Sequence, residues 1–232
     1  CDTAAKIICF GPEGNIYLGT LGAGVLRSTD NGTTWSRTGL ENVQALAVNS
    51  RGDIYAAGYA GVNRSTNGGS SWFPCSLQAN VEALGVDSHD LVFAYSGVGL
   101  YRSTDDGATW SLTSNGPASK LIIDQRDNIY ALRNGVCRST DGGATWESLT
   151  GGLTNWNIQA LAVSSGGHLY AGTWGDGVYR STETVVSVSE DHSTRTPLSY
   201  RLFRNYPNPF NPTTRITYEL PRLSHVLLRV FD

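Results

Sequence analysis

Short apolar stretches separated by polar, Gly-rich turns recur along the chain in a fixed order. A first stretch reads Ile7 to Phe10, Ala45 to Val48, Ala83 to Val86, Leu121 to Ile123 and Ala160 to Val163. Each is followed by a second that carries an aromatic, at Tyr17, Tyr55, Phe93, Tyr130 and Tyr170, and by a third that runs into Arg-Ser-Thr. Runs this short, bounded by turn residues, predict β-strands rather than helices. A fourth strand is expected to begin at the tryptophan that closes each Arg-Ser-Thr turn. Small four-stranded sheets cannot bury both of their faces alone, so neighbouring sheets must stack radially about an axis. The predicted fold is all-β, a β-propeller of five four-stranded blades at about 4–40, 41–78, 79–116, 117–154 and 155–190.

The turn between the third and fourth strands is an octapeptide that repeats almost unchanged. It reads Ser28-Thr-Asp30-Asn-Gly32-Thr-Thr-Trp35, Ser65-Thr-Asn67-Gly-Gly69-Ser-Ser-Trp72, Ser103-Thr-Asp105-Asp-Gly107-Ala-Thr-Trp110 and Ser139-Thr-Asp141-Gly-Gly143-Ala-Thr-Trp146, with a period of roughly 37 residues. A degenerate fifth copy starts at Ser181-Thr-Glu183 and has no tryptophan, so its last strand is sought at 184–188. Asp or Asn at the third position can accept hydrogen bonds from backbone N–H groups two residues on, and Gly at the fifth can take positive φ without steric cost. The Trp then anchors the hairpin against the sheet. The octapeptide resembles the Asp-box, or BNR, repeat of sialidases, sortilin-type receptors, xyloglucanase-like glycosidases and photosystem II assembly factors. Propellers of that type more often carry six or more blades, so five blades are also compatible with part of a larger ring.

Composition supports strands and excludes several functions. The 232 residues include 27 Gly, six Trp and eleven Tyr, and only 16% are charged. A formal charge of −3 without a Lys/Arg block leaves no surface to neutralise phosphates, so nucleic acid is not an expected partner. No apolar run of membrane-spanning length and no signal-peptide pattern occurs, and the absence of any Met points to a processed or excised chain. Cys1, Cys9, Cys75 and Cys137 form no C-x-x-C pair and stand apart from histidines at ligand spacing, so no metal or other cofactor is expected. Cys9, Cys75 and Cys137 fall in three blades and are expected to pack as small buried hydrophobes; Cys1 is compatible with a lipidated N-terminus.

After Glu190 the pattern stops. Residues 191–200 read as a polar linker, and the prolines of Tyr206-Pro-Asn-Pro-Phe-Asn-Pro212 impose extended structure. Arg215 to Leu220 and His225 to Phe231 alternate as two further strands. The segment Leu202-Phe-Arg-Asn-Tyr-Pro-Asn-Pro-Phe-Asn-Pro-Thr-Thr214 resembles the start of the C-terminal sorting domain of type IX secretion, a β-sandwich of which residues 201–232 would be the opening part. That resemblance implies an extracellular or outer-membrane-surface location on a Gram-negative bacterium, with the secretion machinery as partner.

The arginine before each octapeptide (Arg27, Arg64, Arg102, Arg138, Arg180) invites comparison with the carboxylate-binding arginines of sialidases, but recurrence in every blade marks it as scaffold. No facing pair of carboxylates suited to glycoside hydrolysis can be picked from the sequence. In a propeller, the loops joining strands two and three lie with the blade-to-blade connections on the end opposite the Asp boxes. That end would carry Tyr59, Arg133, Asn134, Trp156, Trp174 and Asp176, with the two tryptophans standing outside the repeat. Exposed aromatics with a few polar neighbours suit a sugar ring or a peptide, although the same rings can serve to cover an edge or plug the channel. His89 and His168 sit in turns away from that end. The expected function is a non-catalytic, secreted or surface propeller binding a glycan or protein. The alternatives are part of an extracellular sialidase- or xyloglucanase-like glycoside hydrolase, and a spacer in a larger surface protein.

Overall fold

A computed structural model describes residues 4–115, 118–133 and 135–182, together with the backbone of 201–202 and 218–219. The chain divides into two compact units, residues 1–186 and 187–232. The first is a five-blade β-propeller built wholly from antiparallel meanders. Its only helical turn among the described residues is a 3-10 turn at Pro12–Gly14. Within the described residues no helix is long and apolar enough to cross a membrane.

Blade 1 runs Ala5–Phe10, Ile16–Thr20, Gly24–Ser28 and Ser36–Arg37, and blade 2 runs Ala45–Val48, Ile54–Gly58, Gly61–Ser65 and Phe73–Pro74. Blade 3 runs Val81–Val86, Val92–Ser96, Gly99–Ser103 and Ser111–Asn115, and blade 4 runs Leu121–Ile123, Ile129–Leu132, Val136–Ser139 and Glu147–Ser148. Blade 5 shows three strands, Ile158–Val163, Leu169–Thr173 and Gly177–Arg180. The fourth strand sought at 184–188, the Glu183 of the degenerate box, Cys1, the 191–200 linker, residues 203–214 of the sorting-type segment and the strand expected at 225–231 all lie outside the described residues. In the second unit, Arg201–Leu202 pairs antiparallel with Tyr218–Glu219.

Alternation along each strand gives every blade a trailing face, toward the next blade, and a leading face, toward the previous one. At the junction of blades 2 and 3, Ala45, Ala47, Tyr55 and Val62 of the trailing face bury against Val81, Leu84, Val92 and Ala94 of the leading face. Blades 1 and 2, 3 and 4, and 4 and 5 meet with the same positions. The recurrent second-strand aromatic explains itself here: Tyr17, Tyr55, Phe93 and Tyr130 all fill trailing faces.

Blades 1 and 5 each leave one face open. Val25, Val62, Leu100 and Val136 are at most 1% exposed, whereas Val178, at the same position in blade 5, is 70% exposed. On the leading face of blade 1, Ile8 and Trp35 are exposed and Phe10 is 71% exposed, where Val48, Val86 and Ile123 pack against a neighbour. The two outer faces are therefore not buried on each other.

Candidate functional site

The Asp-box end is a closed hydrogen-bonded scaffold. In the first box Ser28 Oγ donates to Asp30 Oδ1 (2.8 Å) and accepts from Gly32 N (2.8 Å). Asp30 Oδ1 accepts from Thr34 N (2.8 Å) and Asp30 Oδ2 from Thr34 Oγ1 (2.6 Å). The carboxylate thus reaches four residues on rather than the expected two, and the serine hydroxyl caps the nearer N–H. Asp105 and Asp141 repeat the set with Thr109 and Thr145. Asn67 keeps the backbone bond from Ser71 N and donates Nδ2 to Ser71 Oγ. The Thr34 hydroxyl and amide, then the Ser28 hydroxyl, pull the Asp30 carboxyl down to about 2, and the matching bonds around Asp141 do the same. Gly32, Gly69, Gly107 and Gly143 have the expected positive φ, and so do Asn31, Gly68, Asp106 and Gly142 just before them.

The second, third and fourth boxes also reach across to the preceding blade. Trp72 Nε1 donates to Thr38 O (3.0 Å) and Trp146 Nε1 to Ser114 Oγ (3.2 Å), so the tryptophan staples two blades as well as its own hairpin. Arg64 pairs with Asp53 of its own blade (2.8 Å) and with Asp106 in the next blade's box (3.1 Å). Arg27 and Arg102 lie against Gly68 and Gly142, the matching box positions, and Arg138 pairs with Glu147. The repeated arginine thus meets the next blade's box in three blades and pairs within its own sheet in the fourth. A second clamp joins the turns between first and second strands: Asp90 accepts from Ser50 N and Oγ (both 2.8 Å), and Asp127 from Ser88 N (2.7 Å) and Oγ (2.8 Å). Asp87, His89 and Asp127 bring ligand-type atoms within 4.8 Å of one another, but this cluster is that same clamp with a histidine added. Cys9, Cys75 and Cys137 are free thiols, and burial pushes Cys9 and Cys75 up to about 11.

Antiparallel meanders carry the loops between second and third strands, and the blade-to-blade connections, to the other end of the blades. There several aromatic and apolar side chains are presented to solvent. Tyr59 tips the blade 2 loop, Val98 that of blade 3 and Trp174, 74% exposed, that of blade 5. Trp156, 58% exposed, stands on the connection from blade 4 to blade 5. Its loop is pinned to the Trp174 loop from both sides: Asn155 Nδ2 donates to Trp174 O (2.8 Å) and Trp174 N donates to Asn157 O (2.9 Å). Gly135 takes φ +111°, and an added Cβ there would lie 3.6 Å from Trp156 Cζ3, so the ring leans on the blade 4 loop.

The sequence candidates therefore separate. Trp156 and Trp174 come together, with Asp176 exposed two residues beyond Trp174 on the same turn. Tyr59 shares the end but crowns blade 2, with blades 3 and 4 between. Arg133 is engaged in the scaffold: Nη2 donates to Asn115 O (2.6 Å), and the guanidinium sits 5.2 Å from the Trp146 ring centre. Asn134 lies outside the described residues. Sequence reasoning missed Asn155, Asn157 and Gln159: Asn155 Oδ1 accepts from Asn157 N (2.9 Å), and Gln159 Nε2 donates to Asn157 Oδ1 (2.6 Å). The polar spacing of Asn155-Trp-Asn-Ile-Gln159 was the available signal. The result is two aromatic faces beside a short row of amides and one carboxylate, suited to stacking on an apolar ring face while hydrogen-bonding its edge.

The BNR/Asp-box repeat profile matches residues 26–37 and 101–112. Among solved structures, the fold is similar to the GH74 enzyme of Niastella koreensis, at 20% identity over 77% of this chain and 35% of that one, TM-score 0.64. It is similar to the GH74 xyloglucanase from Xanthomonas campestris, at 21% identity over 73% and 33%, TM-score 0.61. It is also similar to YCF48 bound to D1 peptide, at 17% identity over 78% and 67%, TM-score 0.63. The chain spans about a third of the length of those two GH74 enzymes. At these identities the likeness is one of fold. A search of curated proteins returns no match. The chain is thus a β-propeller; more particularly, it is a five-blade propeller carrying BNR/Asp-box repeats.

Proposed function

We propose that the chain is a non-catalytic, secreted or cell-surface propeller that binds a glycan or protein on the loop end opposite its Asp boxes. The observation that carries this is the pair Trp156 and Trp174, both exposed and held together through Asn155 and Asn157. Rigid aromatic faces lose little conformational freedom on binding, and the neighbouring amides and Asp176 supply directional bonds. Asp30, Asp105 and Asp141 are held low by their hydrogen bonds, which suits them to forming the turn and not to acting as a general acid, whose pKa is raised. Export by type IX secretion is part of the proposal and rests on the Leu202 to Thr214 motif.

The experiment is a glycan array probed with the purified chain, beside a Trp156→Ala/Trp174→Ala double variant. Binding lost in the variant supports the proposal. No glycan bound by folded protein rejects the glycan and leaves a protein ligand. The second reading is part of a glycoside hydrolase, favoured by the likeness to a GH74 xyloglucanase. Release of reducing ends from xyloglucan by the full chain would select it. Export is tested separately, by asking whether the tail carries a reporter protein to the surface of a type IX-secreting bacterium.

A further inference from the structure

The leading face of blade 1 and the trailing face of blade 5 are the two halves of the junction that the interior of the molecule repeats, and both are open. We infer that the trailing face of blade 5 docks on the leading face of blade 1 of a second copy, head to tail, continuing the blade stack between chains. This holds whether or not the loop end binds a glycan.

Three observations support that occupant. The faces continue an established interface: Tyr170 and Val178 stand at the positions where Tyr130 and Val136 meet blade 5, and Ile8 and Trp35 at the positions where Leu46 and Trp72 meet blade 1. Their side chains are exposed where those equivalents are packed, Val178 at 70% and Phe10 at 71%. Their sizes also compensate. Blade 1 carries Phe10 where other leading faces have Val48, Val86, Ile123 and Val163, and Leu18 where they have Ala56, Ala94, Ala131 and Ala171. Blade 5 presents the small Ala160, Ala162 and Gly172 in return, as blade 2 presents Ala45, Ala47 and Ala57. A trailing face of small residues leaves room for bulk on the face it meets, which is what close packing requires of a junction. Such contacts are heterologous, and they give a closed ring or an open chain according to the turn per blade.

The test is the mass of the full chain in solution over a wide concentration range, by light scattering or sedimentation. The wild type should gain mass as concentration rises. Phe10→Asp spoils the leading face and Val178→Asp the trailing face, so each variant alone should remain a single chain. Mixed, they retain one good face each and should form a two-chain species that grows no further. Both positions are surface-exposed, and matching circular dichroism melts in dilute solution check that the variants fold; Ile8→Lys with Ala162→Lys repeats the experiment at independent positions. A wild type that stays monomeric at every concentration overturns the inference, and that is also what further blades of one longer chain covering these faces would give. Variants that associate as the wild type does overturn it equally.

Discussion

At the residue scale the Asp box is a device for satisfying backbone donors in a turn with two consecutive left-handed residues. The third-position carboxylate and the first-position hydroxyl between them take the N–H groups of the fifth and seventh residues, which no strand partner reaches. The third, fifth and eighth positions were legible from the sequence because the chemistry there is nearly invariant across the copies. The fourth was not, because Asn31, Gly68, Asp106 and Gly142 share only a tolerance of positive φ. Asn67 supplies a natural control, keeping the backbone bond without a charge. Asp105→Asn is therefore expected to leave the urea unfolding midpoint nearly unchanged and Asp105→Ala to lower it, since the alanine orphans Thr109 N. The charge itself shows in pH. Because Asp30 and Asp141 titrate near 2 when folded and near 3.8 when not, the stability they contribute is fully present above about 4 and is lost as pH falls toward 2. Thermal melts across that window should shift downward, and a variant with Asn at 30, 105 and 141 should show a flatter dependence.

At the scale of the element, blades 2 to 5 are held both by their own sheets and by what each places on the blade before it. The sequence announced the tryptophans but not their direction, because a period along the chain does not say which of two sheet faces a residue occupies. Trp110 packs against the core between blades 2 and 3, whereas Trp35, in the same box position, has no blade before it and stays exposed. Trp110→Ala should accordingly cost about 2–3 kcal/mol in dilute solution, and Trp35→Ala under about 1 kcal/mol. Equal losses would mean that the indole acts only within its own hairpin. The same distinction separates the candidate site into legible and hidden parts. Trp156 and Trp174 stood out because they break the repeat, while Arg133, equally unrepeated, turned out to brace Trp146 and Asn115. Uniqueness in sequence marks a residue as outside the scaffold pattern, yet a long side chain at a loop tip can still reach back into it.

At the scale of the whole molecule, a stack of blades that touch only their neighbours has stability set by intrinsic blade terms and by junctions, as in other repeat proteins. Blades 2 and 3 have a junction on both faces, and their second strands, Ile54–Gly58 and Val92–Ser96, are buried throughout. Blade 5 has one junction, its box lacks the stapling tryptophan, and its third strand is largely exposed. The turn clamp is missing there, as it is between blades 1 and 2: Asp90 and Asp127 grip the blades before them, whereas Gly52 and Gly167 hold the equivalent position in blades 2 and 5 and offer no carboxylate. A cleft of about 520 Å³ lies between Ile122–Arg126 and Ala162–Ser165 at that same junction. Opening should therefore begin at the blade 4/5 junction and proceed inward. Hydrogen exchange in dilute solution is expected to be slowest at 54–58 and 92–96 and fastest at 177–180, with 169–173 between them. Blade 1 also has a single junction but keeps a complete Asp box, and it should exchange more slowly than blade 5. Identical protection in blades 1 and 5 would show that the count of junctions alone governs stability and that the missing staple contributes nothing.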